Sequence, residues 1–353
     1  MQIDLDNLEF LRRLDVGKML QSLAHFPLSC RNTIEQYQNV SVRDLIEKKF
    51  DKIVIVGMGG SAIGGDIISD WLFETSKIPI LVSRGYHLPG YINENTLSFF
   101  VSYSGNTEET ITAFREAIVR ECSIISITSG GLLKELSIEE GVPIFSLPKG
   151  LQPRAALPNQ FFTIAAILNA LNLIGETWEE IDELFPVLKK IKSLNSPDVP
   201  LSNNMAKQLA TDIKGYFPIV FGGKLFSGVT YRLSTQFNEN SKHPAANGVF
   251  PEVFHNAIML REENDDILSN ICVLIIHDPL ELDYLSIKIE RFKSLLHDRV
   301  GKLLEFRAEG IGKVSRILSA VYIGDYITTY LGFLKGLDPS SVESIQKLKM
   351  NIK

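Results

Sequence analysis

The chain has 353 residues, enough for two ordinary domains, with 45% hydrophobic and 22% charged residues, the balance of a globular protein with a substantial core. A formal net charge of −6 argues against non-specific binding to nucleic acid or to an anionic membrane, so neither is expected as a partner. Cys30, Cys122 and Cys272 form no CxxC pair, and the six scattered histidines form no HExxH pattern, so no disulfide framework, metal centre or cofactor is expected.

Residues 1–48 alternate apolar and charged positions at helical spacing (Leu8, Leu11, Leu14; Met19, Leu20, Leu23) and predict a helical lead-in packed on the rest of the chain. The acidic start, with Asp4 and Asp6, is unlike a signal peptide. The best candidate for a membrane span, Phe161 to Ile174, is short and interrupted by Asn169 and Asn172, so a cytoplasmic protein is expected.

Strand–helix alternation begins after Asp51. Short β-rich runs at Ile53–Val56, Ile80–Val82, Leu97–Val101, Ser123–Ile127 and Pro143–Leu147 are interleaved with helical patterns at Ile63–Phe73 and Glu109–Arg120. Continuous apolar strands of this kind predict a parallel sheet covered on both faces. A buried helix is expected over Asn159–Ile174, and the Pro-, Ser- and Asn-rich residues 193–204 suggest a linker. The plan then repeats: a strand at Ile219–Phe221, Gly222-Gly223, an amphipathic stretch from Leu225 to Phe237, strands at Ile271–Ile276 and Leu303–Phe306, and a long helix from Gly312 to Leu334. The expected organisation is a lead-in over 1–48, one α/β domain over 49–192, the linker, and a second over 205–353.

The stretch "GMGGSAIGGD", Gly57 to Asp66, comes directly after the first strand. A Walker loop would need a lysine, and none occurs between Lys52 and Lys77. Gly57, Gly59 and Ala62 fit a dinucleotide fingerprint, but Arg84 stands near the end of the next strand where an acidic residue should hold a ribose. NAD is therefore disfavoured, and NADP remains only as a rival.

A second loop, "VSYSGNTEET" from Val101 to Thr110, offers Ser102, Ser104 and Thr107 around Gly105 and Asn106. Asn106 with Glu109 resembles a capping box opening a helix, which accounts for a helix start but not for three hydroxyls. Hydroxyls and free N–H groups at a helix N-terminus suit a phosphate monoester without any lysine.

These loops resemble the sugar isomerase (SIS) domain family. Together, "GMGGSAIGGD", "VSYSGNTEETI", "LPKGLQPRAALPNQFF" and "NENSKHPA" are similar to the bifunctional phosphoglucose/phosphomannose isomerases from about residue 50 onward. The resemblance implies two SIS-type domains, each a three-layer αβα parallel sheet. It also implies a homodimer with shared active sites and metal-independent interconversion of glucose 6-phosphate and mannose 6-phosphate with fructose 6-phosphate. By matching position, Gly59, Gly60 and Ser61 would line the sugar, while Ser102, Ser104 and Thr107 would bind phosphate. Arg154 would stabilise the enediolate, Glu239 would transfer the proton, His255 would help open the ring, and Thr328 and Lys335 would complete the set. The chain departs from the pattern at Phe254 and Ala257, where relatives usually carry an amide or acidic residue and a glutamate.

These residue types suit aldose–ketose isomerisation: a carboxylate to move the proton, an arginine for the developing oxyanion, and histidine with lysine for ring opening. Thr328 and Lys335, seven apart, would address one cleft from one helix face. Each also has a plain structural alternative: an exposed helix end for Glu239, a core histidine for His255, a helix-dipole partner for Lys335 and an ion pair for Arg154. A non-catalytic SIS module sensing a phosphosugar would keep the serine/threonine loop without needing Glu239, His255 and Lys335.

Overall fold

The computed structural model describes residues 3–42, 45, 48–175, 180–263 and 265–350; residues 1, 2, 43, 44, 46 and 47 of the lead-in lie outside that set. The lead-in forms two helices, α1 (Leu8–Leu14) and α2 (Met19–Tyr37). They part at Asp15, whose carboxylate accepts from the N–H groups of Met19 and Leu20 at 2.6 and 2.9 Å and so starts the second helix.

In chain order there follow β1 (Lys52–Val56), α3 (Ile63–Leu72), β2 (Ile80–Ser83), β3 (Thr96–Ser102), α4 (Glu108–Val119), β4 (Ser123–Thr128), α5 (Gly131–Glu139), β5 (Ile144–Ser146) and α6 (Leu157–Ala170). Next come α7 (Leu184–Asn195), α8 (Met205–Ile213), β6 (Phe217–Gly222), α9 (Ser227–Ser241), β7 (Ala246–Val249), β8 (Ile271–His277), α10 (Asp283–Leu296), β9 (Lys302–Arg307), α11 (Lys313–Leu334) and α12 (Glu343–Met350). The chain divides into two units, His25–Glu179 and Met1–Ala24 with Glu180–Lys353.

In the His25–Glu179 unit a five-stranded parallel sheet has the order β2-β1-β3-β4-β5. Period-two alternation along β1 serves both faces. Val54 and Val56 join a core with Phe100 of β3 and Phe114 of α4, whose rings meet edge-on at 5.3 Å. Ile55 faces the other way, where a Cβ on Gly65 of α3 would stand 2.8 Å from its side chain, so glycine allows that helix to lie close.

The other unit carries a four-stranded parallel sheet in the order β7-β6-β8-β9. One face packs on α10 through Phe221, Phe250 and Phe292. β7 lies between the predicted stretch ending at Phe237 and the predicted strand at Ile271, where the sequence pattern gave no element. A four-residue edge strand containing Gly248 has too little periodicity to be seen, yet a Cβ there would press on Val253 and Phe221 at 2.9 and 3.0 Å.

The expected linker is not a free connection. Residues 193–204 hold the end of α7 and a short 3₁₀ turn, and Lys207 of α8, fully buried, donates to the carbonyls of Pro197 and Val199 and to Asp6, each at 2.8 Å. Turn-forming residues signalled the chain reversal but not this burial. Likewise the first 24 residues pack with the C-terminal unit, where Tyr322 donates to the Leu23 carbonyl at 2.6 Å.

Among the described residues, the helix with the length and apolarity to cross a membrane is α11, at a mean hydropathy of 1.3, and not Phe161–Ile174. Its most apolar window is 100% buried, so α11 is a core helix. Small residues at Gly324, Thr328 and Gly332 recur every four positions and let α9 approach. A Cβ on Gly324 would stand 3.0 Å from Leu233, and one on Gly332 2.6 Å from the Asn240 carbonyl oxygen. Beside this stripe Asp325 accepts two bonds from Arg232 (3.2 and 2.7 Å) and one from Gln236 (3.0 Å), with both charged side chains under 10% exposed.

Asp325→Ala should therefore cost about 3–5 kcal/mol in urea unfolding, because it removes the carboxylate paired with the buried Arg232 charge. The double replacement Arg232→Met with Asp325→Leu should recover most of that loss.

Candidate active site

Strand order reverses between β1 and β3, so the loops leaving their carboxyl ends diverge and open a crevice. Both glycine- and hydroxyl-rich loops stand there. A Cβ on Gly57 would lie 2.8 Å from the Val101 carbonyl oxygen, which makes glycine the residue that lets the loops touch. Ser61 accepts from the Tyr103 N–H at 3.1 Å, a second tie between them.

Within the second loop, the buried Ser102 hydroxyl accepts from Gly105 N–H at 3.1 Å and meets the Thr107 hydroxyl at 3.0 Å. Ser104 is exposed, and its hydroxyl accepts from Asn106 N–H at 3.2 Å. Ser102 thus braces Thr107 from below, while Ser104 and Thr107 reach the surface. The expected capping box does not form. Thr107 takes the N-cap position of α4 without a side-chain cap bond, and Asn106 accepts instead from Leu132 N–H at 2.9 Å in the first turn of α5. The cause is the close approach of the next loop: at Gly105, with φ +70°, a Cβ would stand 1.7 Å from the Gly130 oxygen. The first turn of α4 therefore has no side-chain cap from Thr107, and the helix dipole at that end would favour an anion.

Arg154 joins the same crevice. It lies, 2% exposed, in the 3₁₀ turn Pro153–Ala156 ahead of α6. Gly60 permits that turn to come close, since a Cβ would stand 2.8 Å from the Arg154 amide nitrogen. Tyr103, not singled out from sequence, fixes the approach: its hydroxyl donates to the Pro148 carbonyl at 2.8 Å and accepts from Leu151 N–H at 2.7 Å. Burial raises its phenol above the ordinary tyrosine value, keeping the proton needed for that bond. Its place inside the hydroxyl loop was the available signal. Arg84, the group an NADP phosphate would need, pairs with Asp66 of α3.

In the other unit the structure groups Glu239, Thr328 and Lys335 around the end of α9. Glu239 is half-buried in the last turn. Thr328 is fully buried: its hydroxyl accepts from Asn240 at 2.9 Å and lies 3.0 and 3.2 Å from the carbonyls of Gly324 and Asp325, to which it donates. It therefore seats the residue after Glu239, where sequence spacing suggested a shared cleft-facing surface with Lys335. Lys335 is exposed at the C-cap of α11, donates to the Lys242 carbonyl at 2.9 Å, and has its ammonium lowered below the usual lysine value by desolvation. His255, exposed in the 3₁₀ turn Glu252–His255, takes no part in the bonds that join these three. It is not a core histidine, since Phe254 beside it makes the core contact by stacking on Phe250 at 4.7 Å.

The second sheet reverses between β6 and β8, and other side chains stand at its crevice. Glu281, a carboxylate, lies 4.0 Å from where a Cβ on Gly223 would be, and its neighbour His277 is held above the ordinary imidazole value by hydrogen bonding to Glu281, then to Glu305.

Comparison with known proteins agrees with this layout. Residues 44–132 match the family model for the SIS domain, and residues 202–352 match that for the bacterial phospho-glucose isomerase C-terminal SIS domain. The bifunctional phosphoglucose/phosphomannose isomerase of Caldicellulosiruptor bescii is 36% identical over 335 residues, covering 94% of this chain and 98% of its own. That of Aquifex aeolicus is 34% identical over 85% of this chain and 90% of its own. A hypothetical protein from Thermus thermophilus shares the fold at a TM-score of 0.73 and 16% identity, over 97% of this chain and 92% of its own. With two SIS domains and full-length likeness of this degree, the chain belongs to the bifunctional phosphoglucose/phosphomannose isomerase family.

Proposed function

We propose that the protein is an enzyme that interconverts glucose 6-phosphate and mannose 6-phosphate with fructose 6-phosphate through a cis-enediolate. The observation that carries this is the crevice at the ends of β1 and β3: an uncapped helix N-terminus with Ser104 and Thr107 at its rim, and a buried arginine held against the glycine loop. Such a site takes a phosphate monoester through neutral donors, and the Arg154 guanidinium is the group suited to stabilise negative charge that develops during reaction.

In this scheme the α4 N-terminus, Ser104 and Thr107 hold the phosphate, with Ser102 bracing Thr107. Gly59, Gly60 and Ser61 lie along the sugar. Glu239 removes a proton from one of C1 and C2 and returns it to the other, while Arg154 stabilises the enediolate oxygen without needing a metal. Lys335, with its lowered proton affinity, and His255 form the acid–base pair for ring opening. Thr328 acts through Asn240. The active form is a cytoplasmic homodimer in which Glu239 of one subunit works with His255 of its two-fold mate. The exposure of His255 supports that sharing. A phosphosugar sensor would need only the first crevice; the seating of Glu239 and the desolvation of Lys335 favour an enzyme.

Purified protein should isomerise both hexose phosphates in separate coupled assays and keep its activity after EDTA. Activity lost to EDTA and restored by zinc would overturn the metal-free scheme. Glu239→Gln should lower kcat by roughly 10²–10⁴-fold with KM little changed, whereas Thr107→Ala should chiefly raise KM. Near-normal turnover in Glu239→Gln would move the base elsewhere, with Glu252 the next to test. Mixing Glu239→Gln and His255→Ala subunits should restore roughly a quarter of wild-type activity, since half the dimers are mixed and half their sites are whole. Activity no higher than the average of the two variants would mean that each subunit builds its own site.

A further inference from the structure

We infer that His243, which no step above uses, is the positioning residue for Lys335. The inference rests on the ring-opening role proposed for that lysine. After α9 the chain reverses through Lys242 in the left-handed conformation (φ 49°, ψ 43°), with Lys242 N–H bonded to Asn238 O and His243 N–H to Phe237 O. This capping turn sets the His243 ring beside Phe237, at a centroid distance of 6.4 Å, and beneath the C-cap of α11.

The ring's two nitrogens are then distinguished by their partners. Nε2 lies 2.6 Å from the Tyr216 carbonyl oxygen, which can only accept, so Nε2 carries the hydrogen. In the neutral ring Nδ1 therefore presents a lone pair, and it faces the Lys335 ammonium at 3.5 Å, the outer edge of hydrogen-bonding distance. The same ammonium donates to the Lys242 carbonyl at 2.9 Å. Two acceptors from one capping turn, one residue apart, thus aim a lysine that otherwise stands exposed. The turn also begins three residues after Glu239, so it ties the proposed base and the proposed ring-opening lysine to one piece of backbone.

The arrangement holds only while His243 is neutral. Desolvation lowers its proton affinity first, and the Lys335 charge lowers it further, against the Tyr216 bond. Among the described residues Lys335 is the ionisable side chain that acts on the ring through charge; Tyr216 and Lys242 meet this cluster through backbone carbonyls, and Phe237 is apolar. A second proton would go onto Nδ1 and set two cations against each other. Positioning is therefore intact above the lowered His243 value and lost as pH falls through it, below the ordinary imidazole range of about 6.5.

The test compares His243→Phe, His243→Gln, Lys335→Met and the double variant His243→Phe/Lys335→Met, with thermal melts to confirm folding. His243→Phe keeps the packing on Phe237 but removes the acceptor, and kcat should fall by roughly 10²-fold, the scale of a misplaced catalytic group, with KM little altered. His243→Gln can still accept from Lys335 through Oε1 and should retain most of the turnover, while the acid limb of its kcat–pH profile moves to lower pH as the His243 contribution is lost. The double variant should be no slower than Lys335→Met alone, since His243 acts only through the lysine. Independent losses that multiply in the double variant, or an unchanged acid limb in His243→Gln, would overturn the inference. If Lys335→Met is impaired but His243→Phe is not, the inference fails while the lysine's role stands. Should Lys335→Met turn over normally, that role fails and the positioning role with it.

Discussion

Both sheets are wholly parallel and keep their first strand inside, and this constraint decides where chemistry can occur. A parallel strand must return over a face, so its helices cover the sheet and leave only strand ends open. Where the order reverses, two successive returns go to opposite faces and the loops separate. In the first sheet that point lies between β1 and β3, and the glycine and hydroxyl loops occupy it. Three glycines then hold the crevice together rather than loosen it. Gly57 meets the Val101 carbonyl, Gly60 the Arg154 turn, and Gly105 the Gly130 carbonyl, each at a distance that a methyl group would violate. Because these contacts leave no room for a Cβ, the spacing between helix N-terminus and guanidinium is set by backbone.

The second unit solves a different problem, that of seating a carboxylate at the end of a helix. α9 runs against α11 along Gly324, Thr328 and Gly332, and the buried Arg232–Asp325–Gln236 network fixes its rotation. A buried ion pair contributes little net stability once desolvation is counted, but an error in register would leave both charges unpaired. Asn240 completes the seating through Thr328, so the backbone on either side of Glu239 is held while the carboxylate itself stays partly open. The same turn then delivers Lys242 and His243 to Lys335. The corresponding crevice of the second sheet carries a carboxylate, Glu281, paired with His277, so the two switch points differ in side chains although the topology repeats.

Amino-acid order alone determined every strand but β7 and much of the covering helix, because a strand buried on both faces must be continuously apolar, as Ile53–Val56 and Ile271–Ile276 are. It marked the two loops as well, through bare backbone and a run of hydroxyls directly after a strand. Tertiary structure decided what depends on distant partners. Asn106 had the spacing to cap its own helix, yet Leu132 claimed it. Residues 193–204 had the composition of a linker, yet the buried Lys207 ties them down through the carbonyls of Pro197 and Val199. Thr328 could have faced a cleft by helical spacing, but contact with Asn240 turned its hydroxyl to a structural task. Tyr103 and His243 were not picked out as site residues because their roles rest on carbonyls far along the chain, at Pro148 and Tyr216. Propensity and periodicity describe what a residue's neighbours in sequence permit, whereas hydrogen-bond partners and close approach are settled only when the chain has folded back on itself.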